Sequence, residues 1–153
     1  MLTVASLFLT AKPFYPDVAT ADYSVIIDPA FHTGQMSKLF LIINRMVRII
    51  TNFGLGETSG VAFALYGFSL SSDDGNRREN YEYGKLAVLL QEKLKTREFD
   101  CRVLTYVYVL LNHWQEPLHK SLQPLQAAHS IGMEKGVRYY FLLNHSRCAV
   151  YSC

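Results

Sequence analysis

Met36, Phe40, Ile43, Val47 and Ile50 fall at spacings of 4, 3, 4 and 3 residues, and this spacing most constrains what the chain can fold into. Side chains three and four apart share one face of an α-helix, whereas a strand alternates with period two. The pattern predicts a helix over 31–53. Lys38, Arg45, Arg48 and Asn52 lie off its apolar stripe, and Gly54 and Gly56 end it.

The same period continues downstream. Val61, Ala64, Leu65 and Phe68 predict a helix over 57–70, in which Gly60, Ala64 and Gly67 are small enough to admit a close neighbour. Residues 72–76, Ser-Asp-Asp-Gly-Asn, are turn formers. Tyr83, Ala87, Leu90 and Leu94 predict a helix over 77–95, with Glu82–Lys85 and Glu92–Lys95 pairs at i,i+3. Residues 98–114 are rich in β-branched and aromatic side chains but are too long for one strand. Phe99, Val103, Tyr106, Leu110 and Trp114 instead fit four helical turns, with Leu104, Val107 and Leu111 as a second stripe. Leu118, Leu122, Leu125 and Met133 predict a fifth helix. Pro117 suits its first position, Pro124 should kink it or delay its start, and Gly136 ends it. Val137 opens a sixth helix, over 137–146. The first thirty residues hold Pro13, Pro16 and Pro29 with no sustained period. The expected organisation is an all-α fold, with an irregular N-terminal arm over 1–30 and a single helical-repeat-like domain over 31–153. An offset of 40 aligns 90–99 with 130–139 in shape but not in letters.

Composition narrows the function class. With 50% hydrophobic and 18% charged residues, the chain is not of a disordered type. A net charge of +2 gives no reason to expect nucleic acid or an anionic membrane as partner. Three cysteines make no disulfide framework and point to a reducing compartment. The longest dense apolar run, 103–111, is far short of the roughly 20 residues that span a bilayer. The N-terminal MLTVASLFLT has no basic region before it, and Lys12-Pro13 follows at once, which argues against a signal peptide. The expectation is a soluble, cytoplasmic protein.

The order of Met46-Val47, Phe53-Gly54, Ala64-Leu65-Tyr66-Gly67, Tyr83-Gly84-Lys85-Leu86-Ala87, His113-Trp114 and the Leu118 to Leu125 stretch carries a resemblance. Over about Pro29 to Gly136 the chain resembles the tetratricopeptide-like helical region of large multidomain signalling ATPases of cyanobacteria and algae. In those proteins a kinase-like domain and an AAA-type ATPase precede the helices, and GAF, histidine-kinase or cyclase domains follow. The resemblance implies an antiparallel array of α-α hairpins. The chain departs from the family in function: it has no G-x-x-x-x-G-K-[ST] loop and no kinase signature. It would then be a fragment or stand-alone relative of the helical region, a scaffold with no catalysis and no cofactor; the alternatives are a small sensor of an apolar ligand held between helices, or a helical enzyme with an unrecognised site.

The remaining chemistry-bearing residues have a plain structural reading beside the functional one. The glycines of 54–60 invite a phosphate loop, but they follow a helix, lack the lysine, and include Glu57. A turn with Thr58 or Ser59 as N-cap fits better. His113, His119, His129, His145, Cys101 and Cys148 lack the tight pairs of zinc sites, so no metal is expected. Cys101 near a helix start has the position of an activated thiolate but the surroundings of a small buried residue. Asp73, Asp74, Glu79 and Glu82 are interleaved with Arg77 and Arg78 and read as a solvated face. The aromatics of the second half are the expected site: Tyr106, Trp114, Tyr139 and Tyr140, with Leu142, either fill the core between layers or anchor a protein partner. The apolar helix over 137–146, with few charges, predicts self-association or coverage by a neighbouring domain.

Overall fold

The computed structural model describes residues 27, 30, 33–70, 77–95 and 99–136. Among them every regular element is helical and no strand occurs. The first helix, α1, spans Met36–Phe53. It starts after a turn in which Gly34 takes a left-handed φ of 68°, a conformation that costs glycine little, so it begins later than the apolar pattern predicted. Gly54, with φ 107°, ends it as expected. Ile27 and Ala30 are already helical and buried ahead of that turn, where the sequence predicted an irregular arm.

The buried line of α1 is Leu39, Ile43, Met46 and Ile50. Only Ile43 and Ile50 belong to the predicted stripe; Met36 is 37% exposed, and Phe40 and Val47 lie at the edge of the core. The apolar arc of this helix is wide. Periodicity therefore identifies the helix, while the neighbouring elements choose which line of the arc is central.

Helix α2, Ser59–Leu70, is buried on all sides from Ser59 to Leu65, and Gly67 is buried too. It packs against α1, against α3 (Arg77–Leu94), and against the helix that begins with α4 (Asp100–Tyr106). The small residues of α2 set these distances. A Cβ on Gly60 would lie 2.8 Å from Gln91 Oε1 and 3.2 Å from the Ala87 carbonyl oxygen. One on Gly67 would lie 3.0 Å from the Asn80 carbonyl oxygen and 3.2 Å from Leu111 Cδ1. The close approach predicted from these residues is therefore made by α3. Asn80 and Gln91 are polar side chains buried on α3. The Asn80 amide has no hydrogen-bond partner among the described residues, a cost of about 1–3 kcal/mol that the surrounding packing must offset.

The predicted four-turn helix over 98–114 changes form along its length. It is α-helical over Asp100–Tyr106, a π-helix over Val107–Leu111 and a 3-10 helix over Asn112–Trp114. The Asn112 N–H donates to the Val107 carbonyl, five residues back. A π turn holds an extra residue, so the face of everything after it rotates. Phe99, Val103 and Tyr106 of the first stripe and Val107 and Leu111 of the second are buried as predicted, whereas Leu110 is only partly buried and, beyond the π turn, Trp114 turns out to 48% exposure.

Pro117 is extended, with ψ 140°, and precedes a 3-10 turn over Leu118–Ser121 rather than opening an α-helix. Helix α5 then runs Leu122–Glu134. Pro124 thus falls in the first turn, where an N–H has no partner within the helix, and it delays the start instead of kinking the middle. Leu125, Ala128 and Gly132 are buried, whereas the predicted Leu118 and Met133 are 47% and 59% exposed. α5 packs on α4. The predicted arm up to residue 26, the sixth helix over 137–146 and the later part of the offset-40 match lie outside the described residues, as do Tyr139, Tyr140 and Leu142.

Candidate interaction surface at the end of the π turn

The π turn and the 3-10 turn after it bring the connection 112–121 against the N-terminal half of α3. Asn112 is buried, and its Nδ2 donates to Ser121 Oγ at 2.9 Å, closing the connection into a loop tied at both ends. The Tyr81 hydroxyl donates to Glu116 Oε1 at 3.0 Å. Lys120 Nζ donates to Glu116 Oε2 at 2.7 Å. Glu116 thus joins α3 to the second 3-10 turn through both carboxylate oxygens.

Trp114 sits beside this network. The Arg77 guanidinium carbon lies 4.8 Å from its ring centroid, within cation–π range, and the His113 ring is 4.6 Å away. Lys85 Nζ lies 4.8 Å from the Tyr81 ring and pairs with Glu82 at 2.8 Å, the i,i+3 pair expected from the sequence. Leu118 is exposed alongside. The surface therefore combines a half-exposed Trp, an Arg over its face, a Tyr and an exposed Leu, held by directional ties.

The electrostatics follow from these contacts. The hydrogen bond from Lys120, and then that from Tyr81, hold the Glu116 carboxyl below its ordinary value of 4.5. Lys120 is raised by the same bond to Glu116, and the Tyr81 phenol is raised first by burial and then by Glu116.

Of the anticipated site residues, Trp114 is on this surface. Tyr106 is not: it is 2% exposed and belongs to the core, because it precedes the π turn and keeps the buried phase of α4. Tyr81, Arg77, Glu116 and Lys120 were not anticipated. The i,i+4 charges of Glu116 and Lys120 were a readable signal, but the meeting of Arg77 with Trp114 depends on tertiary packing.

The other candidates resolve as follows. The Gly56 N–H donates to Ser59 Oγ at 2.9 Å, and Gly56 is buried, so that amide is already committed within the turn. Ser59 thus holds the turn by reaching back, and the Thr58 hydroxyl, buried, has no partner among the described residues. Cys101 is buried and its thiol is pushed up by burial, the opposite of an activated nucleophile. His113, His119 and His129 form no metal-holding group with other ligand residues among those described. A shallow pocket of about 220 Å³ lies between the start of α4 and the end of α5, lined by Asp100, Ser130, Ile131, Glu134 and Lys135. Among the described residues no helix is long and apolar enough to cross a membrane.

No family model, curated protein or solved structure matches the chain.

Proposed function

We propose that the chain is a non-catalytic helical interaction module of the cytoplasm, a fragment or stand-alone relative of the tetratricopeptide-like region of multidomain signalling ATPases. Its partner is a protein or a neighbouring domain of a longer parent, with a second copy bound through the C-terminal segment from Val137, expected from its sequence to be helical, as a further expectation. The tightly packed α2–α3 pair and the all-helical core are compatible with an array of α-α hairpins. The observation that carries the reading is Trp114, brought to the surface by the π turn and overlaid by Arg77. Trp, Tyr and Arg are enriched among the few residues that carry most of the binding energy at protein interfaces.

Photo-crosslinking tests the reading. Benzoylphenylalanine at Leu118 should give a discrete protein adduct that is absent when the probe replaces exposed Glu92. The partner, identified and purified, should bind at least tenfold more weakly to Trp114→Ala. Equal adducts at both positions, or unchanged affinity of Trp114→Ala, would overturn the assignment of the surface. Saturable binding of ATP at micromolar concentration would overturn the non-catalytic part.

A further inference from the structure

The outward face of α1 is charged in one sign only. From Pro29 to Gly56 the chain has no Asp or Glu, yet α1 carries Lys38, Arg45 and Arg48. All three are exposed, and none has an ion-pair partner among the described residues. Elsewhere Lys85 and Lys120 are each paired with a carboxylate, while Lys93, Lys95 and Lys135 are exposed without one among the described residues; what sets α1 apart is that its own helix carries no carboxylate at all. Lys38, Leu41, Arg45, Arg48 and Asn52 recur at 3, 4, 3 and 4 residues along the exposed side, a line about 21 Å long at 1.5 Å per residue. Leu41, in the middle of the charges, is 71% exposed. The flanking polar side chains are turned onto the helix itself: Asn44 Nδ2 donates to the Phe40 carbonyl at 2.8 Å, and the Thr51 hydroxyl to the Arg48 carbonyl at 3.0 Å.

Residues at this spacing share one side of the helix, and a second helix can lie along them as a seam. A bilayer would need apolar residues across a broad arc, and here the apolar arc of α1 is already spent on the core. We propose that this face docks an acidic helical segment of a partner protein, with carboxylates at the seam positions facing Lys38, Arg45 and Arg48 and a small apolar residue facing Leu41. The proposal extends the interaction-module reading to a second surface, on an element other than those bearing Trp114.

The probe is a fluorescent helical peptide of about three heptads with Glu at the seam positions and one Ala among them, titrated against the full chain by anisotropy. Binding should saturate at about 50 mM salt and weaken at least tenfold at about 500 mM, where screening is strong. It should weaken at least tenfold when Gln replaces each Glu of the peptide, and equally in the Arg45→Glu/Arg48→Glu variant. A peptide with Lys at those positions should bind that variant and not the parent. Arg45→Gln/Arg48→Gln is the second variant, used if the reversal melts below the parent. No saturation, or equal binding of the Gln peptide, overturns the proposal. So does tighter retention on phosphatidylserine vesicles or a DNA duplex than on the peptide, lost in the same variants, which assigns the face to lipid or nucleic acid. A Leu118 adduct that survives failure here leaves the module reading standing and removes only this face.

Discussion

The junction around α2 and the connection after the π turn are held by opposite means. At the junction, backbone meets backbone across Gly60 and Gly67, and apolar side chains from three helices close the rest. At the connection, a carboxylate, an amide, a hydroxyl and a guanidinium hold pieces together one contact at a time. Apolar burial grows with area and has no direction, so it supplies most of the stability. Hydrogen bonds add about 1 kcal/mol each but fix orientation, and they can do so with side chains partly in water. The fold thus keeps its apolar burial at α2 and its directional polar ties at the connection.

Val103→Asp should break the junction outright. Val103 is fully buried and lies 3.1 Å from the place a Cβ on Gly60 would take. An unpaired carboxylate there costs several kcal/mol, comparable with a whole domain stability of about 5–15 kcal/mol. The expected outcome is insoluble or unfolded protein; a variant melting within a degree or two of the parent would place this residue elsewhere.

Gly67→Val should cost about 1–3 kcal/mol by overpacking. Its side chain would meet the Asn80 carbonyl and Tyr83 Cβ, both at 3.0 Å, and α3 must move to admit it. Urea melts measure this, and an unchanged midpoint would mean that α3 approaches α2 less closely than described. At the connection Ser121→Ala should cost less, about 1–2 kcal/mol, by leaving the buried Asn112 amide unpaired. It should also alter Trp114 fluorescence, whereas Gly67→Val should act through stability first. A silent Ser121→Ala would show that the connection is not held by this tie.

The apolar pattern made the helices themselves legible, because burial of a face imposes its period on the sequence. The ends at Gly54 and near Gly136 were legible for a related reason, since both glycines adopt a left-handed φ. The rotation of α1 was not legible. Its apolar arc includes Leu39, Phe40, Ile43, Met46 and Val47, and tertiary contact, with α2 among the described elements, decides among them. The exposed side of Trp114 was not legible either. A π turn leaves no mark in composition, and the predicted stripe ran on through Leu110 as if the helix were uniform.

The smallest effect expected is a pH dependence at the connection. The Glu116 carboxyl is depressed below 4.5 in the folded protein. Its contribution is therefore fully present above the unfolded value and is lost as pH falls through the folded one. Parent and Glu116→Gln should differ by a constant amount above the ordinary carboxylate range and converge as pH falls below it. Parallel curves over that range would remove Glu116 from the account, and the contrast between junction and connection would then rest on Asn112 and Ser121 alone.

The extra residue in the π turn offsets the two halves of one helix, so that they present different faces. Residues up to Tyr106 pack mainly against α5 and α2, with α3 beside them, while those from Asn112 onward pack against α3 and the connection. In a uniform α-helix, any twist that improved one end would be transmitted to the other, and an insertion would turn every later side chain by about 100°. Here the slack sits in a single turn. Substitutions that remodel the Trp114 neighbourhood can accumulate without rephasing Val103, so that surface is free to diverge while the centre of the molecule stays as it is.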